Sequence, residues 1–181
     1  MLSAEEVIRA LASRRAAGGD RDDLLREAVC LIEAAEERFH WVGVYLLEPS
    51  TRSGGQAEPA RVGGEGGPPR PGPPTPPAGE LVLHNYVGRP TDHVRIPVGV
   101  GVCGTAVAEG RDINVPDVRA LDNYLACSLE TRSELVVLIR DPESGEIHGQ
   151  LDLDSDRPAA FTEHDVRELG RVAEWLARLF V

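Results

Sequence analysis

ELVVLIRDPESGEIHGQLDLDS, residues 134–155, consists of two strand-like runs separated by a turn. Pro142-Glu143-Ser144-Gly145 supplies the turn, because proline and glycine punctuate the chain between extended segments. Pairing the arms outward from that turn brings Glu134 opposite the stretch from Asp152 to Asp154, within a residue or two of register. Side chains alternate across a strand, so Gln150, Asp152 and Asp154 share one face while Leu151 and Leu153 take the other. Three carboxylates held close together cannot all stay ionised cheaply, and at least one pKa is expected to rise.

Working outward, further extended segments and four helices surround this hairpin. Phe39–Leu47 (FHWVGVYLL) has a period of two, with Trp41, Gly43 and Tyr45 on one face and Val42, Val44 and Leu46 on the other. Gly79–Tyr86 (GELVLHNY) reads as its partner strand, and His93–Pro97 is extended because Pro97 disfavours helix just before it. Residues 113–118 read as a short strand or turn, and 121–133 as a loop carrying Cys127. At the N-terminus, Ser3 and Glu6 stand in capping-box spacing ahead of one helix, which Gly18-Gly19 closes. Asp20 and Asp23 open a second, with Leu24, Ala28, Leu31 and Ala35 as its buried stripe. Thr162 and Asp165 cap the last helix, Phe161 and Val166 staple it, and Val166, Leu169, Ala173, Leu176 and Phe180 form its buried face. Helices at both ends around a set of hairpins predict an α+β domain with a central antiparallel sheet flanked by N- and C-terminal helices. The 181 residues, 41% hydrophobic, suit one domain, 1–181, with a real core.

Between Pro49 and Gly79 the composition changes. Proline and glycine make up 17 of these 31 residues, too little apolar material for a packed core. The segment 49–79 is therefore expected to be a disordered, locally polyproline-like insertion in a hairpin loop.

A formal charge of -11 argues against nucleic acid or an anionic membrane as partner. Arginine carries all the positive side-chain charge, since the chain contains no lysine, and this excludes a Schiff-base lysine and a Walker-type phosphate loop. No apolar run approaches membrane-spanning length, and Glu5 and Glu6 stand where a signal peptide would be basic and then apolar, so a cytoplasmic protein is expected. Gly99-x-Gly101-x-x-Gly104 formally matches a dinucleotide fingerprint but lacks the βαβ context that would give it meaning. Of the three cysteines, Cys30 falls on the polar flank of the second helix and reads as a bystander. Cys103 follows a glycine-broken loop and precedes Gly104-Thr-Ala-Val, read as a first helical turn. The positive end of the helix dipole there favours a thiolate.

RIPVGVGVCGTAVA, the DV of NVPDV, the AC that includes Cys127, RSE and GQLDLDS together resemble the free methionine-(R)-sulfoxide reductases, which are single GAF domains. The resemblance runs from about His40 to the C-terminus apart from the insertion. It implies that free methionine sulfoxide is reduced by a cysteine thiolate through sulfenic acid and disulfide, with no cofactor and no metal. Cys127 matches the attacking cysteine. Glu134, Asp152 and Asp154 match the carboxylate cluster that binds substrate and handles its proton, and Trp41 and Tyr45 match the aromatic wall. Alternating acids ordinarily mark a solvated strand face, but here hairpin pairing and motif agree. The family's first cysteine is replaced by His93, which leaves Cys103 as the partner for Cys127 and His93 as a possible modulator. The resemblance further implies a thioredoxin-like reductant and a homodimer. Two alternatives stay open: a non-catalytic GAF module that binds a small amino-acid-like metabolite, and a metal site from His93, Cys103 and Cys127 with His84.

Overall fold

The computed structural model describes residues 1–49, 79–120 and 130–180. The expected disorder within 49–79, and the placement of Cys127, lie outside the described residues. Four α-helices, α1 (Ala4–Ala16), α2 (Arg21–Ala35), α3 (Gly101–Glu109) and α4 (Glu163–Ala177), accompany six strands. These are β1 (Trp41–Pro49), β2 (Gly79–Val87), β3 (Arg95–Pro97), β4 (Ile113–Val115), β5 (Ser133–Arg140) and β6 (Ile147–Ser155). They form one antiparallel sheet in the order β3-β2-β1-β6-β5-β4. Two hairpins, β1–β2 and β5–β6, are thus joined through β1 and β6, and the short strands β3 and β4 close the edges. The α+β architecture read from the sequence is the one observed.

The alternation within β1 and β6 divides the molecule. Val42, Val44, Leu151 and Leu153, all fully buried, face a layer of α1, α2 and α4 and form a large apolar core with them. Trp41, Tyr45, Val136 and Leu138 face the other way and pack with Val102, Cys103, Ala106 and Val107 of α3. Helix starts follow the expected caps: Ser3 accepts from the Glu6 amide, Asp20 from the Asp23 amide, and Thr162 forms a reciprocal capping box with Asp165. Asp165 also receives both arms of the Arg38 guanidinium at 2.9 Å, which ties α4 to the entry of β1. Burial pushes the Asp165 carboxyl up, but Arg38 and the Thr162 amide and hydroxyl outweigh it and leave its pKa lowered.

Three expectations need correction. On α2 the buried residues are Leu24, Leu25, Ala28, Val29 and Ile32, while Leu31 and Ala35 are only half-buried. On α4, Val172 and Ala177 join Leu169, Ala173 and Leu176 inside, with Val166 and Phe180 half-buried. In both helices the buried sector is wider than a single stripe, because each touches the sheet and at least one other helix. Helix α3 begins three residues earlier than expected, with Val100 as N-cap, so Cys103 lies inside its first turn. Gly104 allows this, since a Cβ there would stand 2.4 Å from the Pro97 carbonyl oxygen.

Candidate functional site

Cross-strand pairing lays out the site in three rows on the sheet face turned away from α1, α2 and α4. Trp41, Asp154 and Glu134 form the first row, Gly43, Asp152 and Val136 the second, and Tyr45, Gln150 and Leu138 the third. Directly opposed residues share a face with Cβ atoms roughly 5 Å apart. The predicted meeting of Glu134 with the Asp152–Asp154 stretch is therefore observed, with Glu134 directly opposite Asp154. Cys103, on α3 above, completes the group: its thiol donates to Glu134 Oε1 at 3.8 Å.

The aromatic pair walls this face. Trp41 and Tyr45 stand with ring centroids 6.3 Å apart, and Trp41 stacks on Tyr86 at 5.5 Å. The indole lies across Gly43, where a Cβ would come within 2.2 Å of the ring. Each ring is anchored by its polar tip: the Trp41 N–H donates to the Arg89 carbonyl at 3.1 Å, and the Tyr45 hydroxyl to the His93 carbonyl at 2.8 Å. His93 thus borders the site through its backbone, with its own amide donating to Thr91 Oγ1. Arg89, which carried no signal in the sequence, also pairs with Asp156 at 2.8 Å and Glu130 at 2.7 Å. It braces the chain on both sides of the β5–β6 pair.

The acids are unusual in their burial. Glu134 and Asp154 are each 2% exposed and Asp152 is 0% exposed. Both oxygens of Asp152 and of Asp154, and both amide atoms of Gln150, are buried without a hydrogen-bond partner. Burial, and then the neighbouring acids, push Glu134 well above the ordinary carboxylate range; the Cys103 thiol offsets part of this. Burial pushes Asp152 to about 7, with Cys103 close enough to ease it but not in hydrogen-bonding geometry. Asp154 rises for the same reason, reinforced by Asp152 and Asp156. A desolvated cluster of this kind stores a demand for positive charge.

Cys103, Glu134 and Asp152 each offer one donor atom, all within 4.8 Å of one another, a spacing across which three side chains could reach a common cation. His84 does not belong to it. Its Nε2 lies 3.3 Å from Asp22 of α2, on the opposite side of the sheet. A separate concavity of about 620 Å³ lies at the far end of the sheet, around Leu47, His148 and Phe180, and shares no residue with the acidic rows. Among the described residues, no helix is long and apolar enough to cross a membrane.

These features can be set beside known proteins. Protein YtsP of Bacillus subtilis is 43% identical over 100 residues, which are 55% of this chain and 60% of that protein. The free methionine-R-sulfoxide reductase of Escherichia coli is 38% identical over 141 residues, 78% of this chain and 66% of that protein. The chain therefore spans about three fifths to two thirds of the length of these curated relatives. In three dimensions it resembles the free methionine-R-sulfoxide reductase of Neisseria meningitidis, solved in complex with its substrate, with a TM-score of 0.73. Identity is 33%, and the match covers 98% of this chain and 87% of that one. The pattern described as GAF domain matches residues 20–179, and with the sheet and its acidic face arranged as above, the chain belongs to the GAF domain family.

Proposed function

We propose that this protein reduces free L-methionine-(R)-sulfoxide to methionine. The observation that carries the reading is the set of three buried, adjacent carboxylates beneath the Trp41–Tyr45 wall. A free amino acid brings an ammonium that such a cluster lacks, and a peptide-bound residue does not. The relatives in E. coli and N. meningitidis named for this activity support the same substrate.

In this reading the sulfur of Cys127 attacks the sulfoxide sulfur and takes its oxygen, which leaves the thioether of methionine and a sulfenic acid on Cys127. A protonated member of the Glu134–Asp152–Asp154 cluster hydrogen-bonds the sulfoxide oxygen and supplies a proton as the S–O bond breaks. Its ionised neighbours hold the ammonium. The thiol of Cys103 then condenses with the sulfenic acid, releasing water and forming a disulfide. A thioredoxin-like dithiol reduces that disulfide and is itself oxidised. Trp41 and Tyr45 shield the thioether from water, and His93, through the carbonyl that holds the Tyr45 hydroxyl, modulates the wall.

Consumption of free L-methionine-(R)-sulfoxide is measured with a thioredoxin system and separately with dithiothreitol, for wild type, Cys127→Ser and Cys103→Ser. The expected result is thioredoxin-supported turnover that falls to background in both variants. Wild type that binds the sulfoxide but turns it over with neither reductant would instead make this a binding module and overturn the enzyme. The cluster adds a signature to binding itself. An ammonium placed beside the acids lowers their pKa, so binding at pH 6, below the value of about 7 for Asp152, releases protons. Calorimetry in buffers of different ionisation enthalpy reads that release, and proton uptake would contradict the ammonium placement.

A further inference from the structure

The polar face has one more member than the acids. Gln150 is fully buried, stands between Tyr45 and Leu138 in the third row, and leaves both its amide oxygen and its amide nitrogen without a partner. Each unmet atom leaves its desolvation uncompensated in an apolar setting, so an unliganded core would do better with a hydrocarbon there. Asp152 lies one row away on the same strand and face, roughly 7 Å along the chain.

The other donors on this face are engaged. The Trp41 indole donates to the Arg89 carbonyl, the Tyr45 hydroxyl to the His93 carbonyl, and the Cys103 thiol to Glu134. The acids accept, and donate only while protonated. Among the described residues of the three rows, the amide of Gln150 therefore holds the N–H donors that no hydrogen bond within the protein uses. An amino-acid sulfoxide carries two kinds of acceptor, its carboxylate and its sulfoxide oxygen, and is long enough to touch two adjacent rows.

We propose that Gln150 is a binding residue of this sheet face whose amide nitrogen donates to an oxygen of the bound amino-acid sulfoxide. The proposal rests on the sulfoxide reading above and deepens it. The strand face then grades from the acids, which take the ammonium, to an amide, which takes an oxygen. A ligand that carries only the cation satisfies half of the surface.

The test compares Gln150 with Gln150→Met, nearest in shape, and with Gln150→Leu, each in a Cys127→Ser background so that ligand is not consumed. Two quantities are read: the thermal midpoint without ligand, and Kd for free L-methionine-(R)-sulfoxide and for L-methionine. The expected result is a midpoint raised by about 4 °C, as unmet polar atoms leave the core. With it, affinity for the sulfoxide falls at least about tenfold. A loss shared by methionine assigns the carboxylate as acceptor, and a loss confined to the sulfoxide assigns its oxygen. Affinity unchanged in both variants, whatever the midpoint does, overturns the role of Gln150 alone. A parent protein with intact Gln150 that binds neither ligand overturns the sulfoxide reading as well.

Discussion

The two faces of β6 have been put to opposite uses by a single alternation. Leu151 and Leu153 turn toward α1, α2 and α4 and are fully covered by other apolar side chains. Gln150, Asp152 and Asp154 turn the other way and are equally buried, yet their polar atoms meet no partner. Burial stabilises the first face and destabilises the second. What distinguishes structure from function in this sheet is therefore satisfaction rather than exposure. A core that tolerates orphaned carboxylates on one side must be held by well-packed hydrocarbon on the other.

That contrast breaks most visibly on the apolar side. Leu153→Ala removes a fully buried side chain between the sheet and the helix layer. It should destabilise the fold by about 2–5 kcal/mol, as read by denaturant unfolding. Asp152→Asn, one residue away, should do no such damage near neutral pH. A loss for Asp152→Asn as large as that for Leu153→Ala would mean that the acids are structural and the comparison is mistaken.

The same pair sharpens with pH. Asp152 has a folded pKa of about 7 against an ordinary 3.8, so between these values the folded protein keeps a proton that the unfolded chain has released. Its contribution to stability is fully present below 3.8, declines as pH rises, and is lost above about 7. The loss amounts to as much as about 4 kcal/mol. Glu134 and Asp154, raised in the same direction, act with the same sign. Unfolding free energies of wild type and Asp152→Asn should therefore diverge from pH 4 to pH 7, with the variant the flatter of the two. Parallel curves would remove Asp152 from the explanation.

An intermediate effect is expected at Gly43, in the second row of the acidic face. An added methyl must displace the Trp41 indole, which lies across that position. Gly43→Ala should cost about 1–3 kcal/mol in stability. It should also change the Trp41 emission and weaken ligand binding, whereas a loss of stability with binding intact would make the indole packing material rather than a wall.

Much of this was legible beforehand, for identifiable reasons. Hairpin register follows from the turn at Pro142–Gly145 and the period of two, so Glu134 could be set opposite the Asp152–Asp154 stretch from sequence, within a residue or two; the pairing with Asp154 itself came from the fold. The burial of those acids could not, because alternating acids on a strand look the same whether solvated or roofed by a helix such as α3. Helix faces were read too narrowly for a related reason: a helix touching two neighbours buries residues outside a single stripe. Arg89 was invisible, since its role depends on a loop carbonyl that meets Trp41 and on two acids distant in sequence. Gln150 was placed on its face but given no meaning, because an unmet hydrogen bond is a property of the fold and not of the residue.

The smallest effect tests whether the division between the layers also governs the cysteines. Cys30 lies exposed on α2, in the helix layer, while Cys103, on α3, is 3% exposed and donates to Glu134. If redox chemistry belongs to the acidic face, Cys30→Ser should shift stability by less than about 0.5 kcal/mol. It should also leave thioredoxin-supported turnover unchanged. In the native protein an alkylating reagent should reach Cys30 quickly and Cys103 only on unfolding, because reactivity requires access as well as thiolate. Protection of Cys30 by the sulfoxide, or a drop in turnover in Cys30→Ser, would carry the chemistry across the sheet and dissolve the separation of faces. A null result confines it to the side where hydrogen bonds are missing.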